Sequence, residues 1–248
     1  MRHIVFSLAL GVALALVVLV PSAPAGAVSD QLPDLGMAHP KDLKIAKTSD
    51  GRKLLRFSSI VVNVGAGPFE VHGERAAGAS TMTTQQRIFD SAGGSRNVPT
   101  AAIMYFAGDG HNHWHVQDLE DFELIRLDNG QLVGTGAKHG FCFYDNYRYG
   151  SSSPAYYTRQ TSPPACGTSS SNLQTFMGLS VGWGDIYNWN LPDQYIDITG
   201  LTSGRYRLWA TADADNWFVE SDDSNNFSWI DIQLKSNRVS IVAYGPSA

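Results

Sequence analysis

The amino-acid sequence predicts an all-β fold, an antiparallel β-sandwich with long irregular loops. Short β-branched or alternating segments recur along the chain, at 54–64 (LLRFSSIVVNV), 121–127, 205–211 and 227–234. Turn formers punctuate them, with 24 Gly and 11 Pro in 248 residues. No segment of convincing length spaces its apolar residues for an amphipathic helix, and no internal repeat is present.

Taken in order, the first 27 residues read as an address. Met1-Arg2-His3 is a short basic start, residues 4–20 are apolar without a charge, and 21–27 offer small-residue cleavage positions, with cleavage expected after Ala27. Residues 28–248 are then expected to form a single exported domain, with no second segment apolar enough to span a membrane. Gln31-Leu32-Pro33-Asp34-Leu35 is rich in turn formers and reads as irregular. Residues 54–64 read as a buried strand closed by Gly65-Ala66-Gly67-Pro68, with 69–72 continuing it after a bulge. The polar stretch 75–99 lacks clear periodicity and reads as a long connection or lid. The apolar run 101–107 leads through Gly108-Asp109-Gly110 into a histidine cluster. Residues 121–127 and 131–135 form a hairpin about Asp128-Asn129-Gly130, because Asn-Gly tolerates positive φ. Residues 145–180, rich in Tyr, Ser, Pro and Gly, read as a long loop, and loops of that length in a compact domain are usually functional. Strands return at 194–199, 205–211, 227–234 and 239–244.

The formal net charge of −5 and the absence of a basic stripe give no footprint for nucleic acid. An acidic surface suits cationic partners better. Cys142 and Cys166 are the only cysteines. In an exported protein two cysteines most simply form one disulfide.

The chemistry concentrates at His111-Asn112-His113-Trp114-His115, three of the seven histidines at i, i+2, i+4 spacing. On a strand, successive side chains alternate between faces, so the three imidazoles project from one side and Asn112 and Trp114 from the other. Three neutral imidazoles suit copper(II) or zinc(II) rather than calcium or magnesium.

An ordered set of segments runs along the chain: Leu32-Pro33-Asp34-Leu35, Leu54-Leu55-Arg56-Phe57, His111-Asn112-His113-Trp114-His115 and Lys138-His139-Gly140-Phe141-Cys142. It continues through Gly178-Leu179-Ser180, Asp185-Ile186-Tyr187, Tyr195-Ile196-Asp197-Ile198-Thr199 and Glu220-Ser221-Asp222-Asp223-Ser224-Asn225-Asn226. In this order the set resembles the catalytic domain of the lysyl oxidases, secreted copper amine oxidases. The resemblance implies that His111, His113 and His115 ligate copper(II). It also implies that Lys138 and Tyr187 become a self-made cofactor, lysine tyrosylquinone. The tyrosine ring would be oxidised beside the metal, and the neutral lysine amine would then add to it.

The implied reaction converts a primary amine, either peptidyl lysine or a small cationic amine, to an aldehyde. O2 is consumed, and NH3 and H2O2 are released. A general base must remove the substrate α-proton; Asp118, Asp121, Asp145 and Asp185 are candidates, and the sequence does not choose among them. The chain departs from animal members in its scarcity of cysteine, in Ala137 where they carry histidine before the lysine, and in the connection 146–177. It resembles a compact microbial relative. Two alternatives compete. A cupin-type metalloprotein would use His113, His115 and Glu120 plus a later histidine, for which only His139 is present. A secreted copper-binding β-sandwich without enzymatic activity would need neither Lys138 nor Tyr187.

Overall fold

A computed structural model describes residues 27–107 and 112–248. The expected signal segment therefore lies outside the described residues, apart from its final residue, and so do Gly108, Asp109, Gly110 and His111. Among the described residues the chain is almost entirely strand, and the single helical element is a 3-10 turn at Asp223–Asn225. Among the described residues no helix is long and apolar enough to cross a membrane.

The first strands are β1 (Asp30–Gln31), β2 (Leu35–Met37), β3 (Lys41–Lys47) and β4 (Lys53–Asn63). The β4 strand is the expected apolar run. It is buried on both faces from Phe57 to Asn63, which explains why its sequence is continuously rather than alternately apolar. There follow β5 (Phe69–Glu74), β6 (Thr81–Asp90), β7 (Ser95–Phe106), β8 (Trp114–Gln117), β9 (Glu120–Arg126) and β10 (Leu132–Thr135). The β9–β10 connection is the expected hairpin, with Gly130 at φ 70° and the Gln131 amide donating to the Asn129 side chain. The remaining strands are β11 (Gly140–Phe141), β12 (Tyr147–Arg148), β13 (Gln174–Leu179), β14 (Trp183–Tyr187), β15 (Tyr195–Asp197), β16 (Gly204–Ala212), β17 (Phe227–Lys235) and β18 (Arg238–Tyr244).

These strands build three antiparallel sheets. One runs β11-β8-β7-β6-β5-β13 with β1 on β6, a second runs β10-β9-β16-β17-β18, and the third gathers β12, β14, β15, β2 and β3 around β4. A single hydrophobic cluster draws residues from all three, including Phe57, Val71, Met82, Leu124, Leu208 and Ile230. Ring pairs such as Phe57–Phe122, 5.0 Å between centroids, stitch one sheet to another.

Two expected loops are partly strand. Residues 75–99, expected as a connection or lid, contain most of the long β6–β7 hairpin. Their alternation is hidden because two inward positions are polar and satisfied internally. Gln86, fully buried, exchanges hydrogen bonds with the main chain of Val219, and the Thr84 hydroxyl donates to the Ala102 carbonyl. Residues 145–180 are irregular in their middle but end in β13, which pairs along its whole length with β5. Asp145 organises the irregular part. Its carboxylate accepts from the amides of Tyr156, Tyr157 and Ser180 and from the Ser180 hydroxyl.

Candidate active site

Strand β8 carries His115 into the interior, paired against Tyr105 of β7, while His113 stands just before it. The alternation predicted from the sequence is visible here. Trp114 points the other way, is buried, and donates from its indole nitrogen to the Ser169 carbonyl. The His115 ring meets the Tyr105 ring edge-on at 5.8 Å. His113 and His115 converge, with their Nε2 atoms 2.9 Å apart.

That spacing fits a shared metal. Two converging imidazole nitrogens are the donor type that a borderline divalent ion such as copper(II) or zinc(II) would take. Without an ion, one ring donates its N–H to the other. His111 lies outside the described residues, and among those described no group of three His, Cys, Asp or Glu residues gathers as a metal site. His139, the later histidine a cupin would need, instead pairs with Asp118 at 2.9 Å on the surface.

Lys138 and Tyr187, forty-nine residues apart in sequence, meet. The segment leaving β10 runs antiparallel to the start of β9. The Gly136 amide donates to the Phe122 carbonyl, and the Asp118 amide donates to the His139 carbonyl. This register brings Lys138 level with Glu120 and turns it inward, 4 % exposed. Tyr187 ends β14 opposite Ser59 of β4 and is 6 % exposed. The Lys138 Nζ lies 4.8 Å from the centre of the Tyr187 ring. Cys142 holds that ring from the other end: its amide donates to the Tyr187 hydroxyl at 2.5 Å, and the hydroxyl donates to its carbonyl at 2.8 Å. Cys142 is itself fixed by the disulfide to Cys166, the pairing expected from the sequence.

Acidic groups surround the pair below the surface. Glu120 is fully buried, and burial pushes its carboxyl up to about 7, with the Ser59 hydroxyl and the Lys138 ammonium pulling the other way. Burial also pushes Asp185 well above the usual carboxylate range, reinforced by the Glu120 charge and opposed by Asn146 and Lys138. The same cause, with the Asp185 charge beside it, raises the Tyr187 phenol and keeps it protonated, as its donation to the Cys142 carbonyl requires. Two clefts flank the pair. One of about 140 Å³ is lined by His113, Tyr187, Asp185 and Arg159; the other, about 370 Å³, is lined by Lys138, Asp121, Glu123 and His139.

Arg159 and the role of the Cys142 main chain carried no signal in the sequence, since one sits in the irregular segment and the other is a backbone contact. Glu120 was visible only through its spacing from the histidines.

The lysyl oxidase family profile matches residues 83–243. Among curated relatives, the chain is 33 % identical over 124 residues to a protein-lysine 6-oxidase of Gallus gallus, covering 50 % of this chain and 26 % of that protein. It is 32 % identical over 117 residues to a protein-lysine 6-oxidase of Sus scrofa, covering 47 % and 41 %. It is 24 % identical over 188 residues to lysyl oxidase homolog 3A of Danio rerio, covering 76 % and 20 %. The chain thus spans between a fifth and about two fifths of the length of these relatives. A match over most of the chain, on an all-β fold, places it in the lysyl oxidase family.

Proposed function

We propose that this chain is an exported copper amine oxidase of lysyl oxidase type, its activity carried by residues 28–248 after removal of a signal segment. His111, His113 and His115 hold the copper, and Lys138 and Tyr187 become the cross-linked lysine tyrosylquinone. Copper and that quinone supply the oxidation of a primary amine to an aldehyde, consuming O2 and releasing NH3 and H2O2. Two relatives are named protein-lysine 6-oxidases, which supports peptidyl lysine as a substrate class beside small cationic amines.

The observation that carries this reading is the contact between Lys138 and Tyr187, 4.8 Å from amine to ring centre in a buried setting. A copper-binding protein without an enzymatic role needs no lysine there. The Lys138 chain has four rotatable bonds with which to reach a ring carbon, whereas the ring itself is pinned by both polar groups of the Cys142 main chain. Pinning reduces the motion that must be frozen before the two can bond.

Peptide mapping of copper-loaded, aerated protein tests the reading. A cross-linked pair containing Lys138 and Tyr187 is expected, together with a coloured phenylhydrazine adduct. Lys138→Arg and Tyr187→Phe should bind copper yet form neither product, because a guanidinium is not a nucleophilic amine and a phenyl ring lacks the oxidisable hydroxyl. Full amine-dependent peroxide production in either variant would overturn the proposal.

A further inference from the structure

We propose that the β3–β4 hairpin presents a docking strip for an acidic polysaccharide, a polyuronate with a carboxylate on every sugar. The negative whole-chain charge conceals this strip. Residues 41–56 carry six cations, Lys41, Lys44, Lys47, Arg52, Lys53 and Arg56, against two carboxylates, Asp42 and Asp50. The inference stands apart from the amine-oxidase reading, because none of these residues takes part in it.

The fold aligns the cations instead of scattering them. In β4, Leu55 and Phe57 enter the main core, so Arg56 between them faces outward. Lys44 of β3 and Tyr195 of β15 are its direct cross-strand partners and share that outer face. Lys41 stands three residues before Lys44, and alternation alone would send it to the opposite face. A bulge prevents this. Lys41 opposes Ser58 and Lys44 opposes Arg56, three steps along β3 against two along β4. The bulge places Asp42 at φ 56°, a left-handed backbone that is unfavourable for a residue with a side chain. The Ser58 hydroxyl, donating to the Asp42 carboxylate, holds it there. Lys41, Lys44 and Arg56 thereby share one face at backbone spacings of about 5–7 Å.

Each of the three rests on a ring. Lys41 Nζ lies 4.8 Å from the centre of Tyr147, Lys44 Nζ 5.7 Å from Trp189, and the Arg56 guanidinium 5.4 Å from Tyr195. Arg56 also donates to the Trp189 and Leu191 carbonyls. The carboxylates nearby are committed elsewhere: Asp50 to Arg52, Asp42 to Ser58, and Asp197 to the Thr199 amide. Among the described residues Lys41, Lys44 and Lys47 make no ion pair. Like charges meet directly across the strands at Lys44–Arg56 and Lys47–Lys53, an arrangement that destabilises the free hairpin and that a bound anion relieves.

The occupant follows from what the face leaves exposed. The protein's own cations lie over the rings, so nucleobases find little open aromatic face to stack on. A strip one or two residues wide suits a linear chain better than a lipid surface. Closely spaced ammonium groups, already ordered by the rings beneath them, suit a polymer charged on every sugar.

Biolayer interferometry of the whole protein on immobilised polygalacturonate tests the proposal, with neutral dextran, single-stranded poly(dT) and phosphatidylserine vesicles as comparison surfaces. The protein should bind polygalacturonate, and a fourfold rise in salt should weaken binding by about 10-fold. Lys41→Gln combined with Lys44→Gln should weaken it by about 10-fold or more. Arg96→Gln combined with Arg205→Gln, an equal loss of charge elsewhere, should leave it within about twofold. Lys41→Arg combined with Lys44→Arg keeps the charges and should bind as the parent does, which separates charge from any effect on folding. No binding by the parent, equal binding to neutral dextran, or an equal loss in the two glutamine variants overturns the proposal. Tighter binding to poly(dT) or to the vesicles overturns it as well, in favour of nucleic acid or of a membrane. None of these outcomes bears on the Lys138–Tyr187 cross-link, whose own test stands separately.

Discussion

Gly140 packs tightly against the Tyr105 and His115 rings, and replacing it with alanine should cost both stability and metal binding. The residue pairs with Gln117 across β11 and β8, immediately beside the His115 position. A methyl group there would collide with the Tyr105 hydroxyl and lie 2.7 Å from both Tyr105 Cζ and His115 Nδ1. Neither neighbour is a flexible chain end. The Tyr105 ring is rigid and packs edge-on against His115, and His115 is 1 % exposed. Glycine is needed here for room, not for a left-handed backbone. Overpacking of this kind costs about 1–3 kcal/mol. For a chain of this size that lowers Tm by about 2–12 °C. Relief would have to come from a shift of the His115 ring, whose Nε2 now sits 2.9 Å from that of His113. Copper affinity should therefore fall by about 10-fold or more. Thermal unfolding of the metal-free protein and a competitive copper titration measure the two effects separately. A variant that unfolds within about 1 °C of the parent and binds copper equally well would refute the packing argument.

Three further perturbations have defined outcomes. His113→Ala should abolish stoichiometric copper binding and the cross-link while the metal-free fold survives, since His113 precedes β8 and is not part of the core; an unchanged electron spin resonance spectrum would contradict this. Replacing Cys142 and Cys166 together by Ala should cost about 3 kcal/mol in chemical denaturation, from the loss of a loop closed across 24 residues of sequence. Cross-link formation should slow as well, because Cys142 holds the Tyr187 hydroxyl. Glu220, accepting from the Leu35 amide and from Asn226, has its carboxyl raised by burial to about 8. The folded chain then holds a proton that the unfolded chain releases near pH 4.5, so stability falls as pH rises from there to about 8, by at most about 1.4 kcal/mol per pH unit. Glu220→Gln should flatten that slope in urea titrations, and parallel profiles for variant and parent would count against it.

Much of the fold was legible in the sequence because burial leaves a local imprint. The continuous apolar run at β4, the Asn129-Gly130 turn and the alternating strands near the C-terminus each report the surroundings of their own residues. The β6–β7 hairpin was hidden because Gln86 and Thr84 find their hydrogen bonds from distant chain, so polar letters occupy inward positions. Strand β13 was hidden because its pairing with β5, a hundred residues earlier, decides its conformation more than its own composition does.

By itself the sequence determined the all-β class, the family, the disulfide partners and the residue types on which the proposed chemistry draws. Those follow from composition, spacing and ordered motifs, all of which are local or countable. Only the tertiary structure decided that Lys138 lies over the Tyr187 ring, that Cys142 grips the phenol, and that Asp185 alone among the candidate aspartates lines the Tyr187 and His113 cleft. Such contacts join segments dozens of residues apart, and their geometry is set by sheet register and core packing, which no stretch of the chain specifies alone.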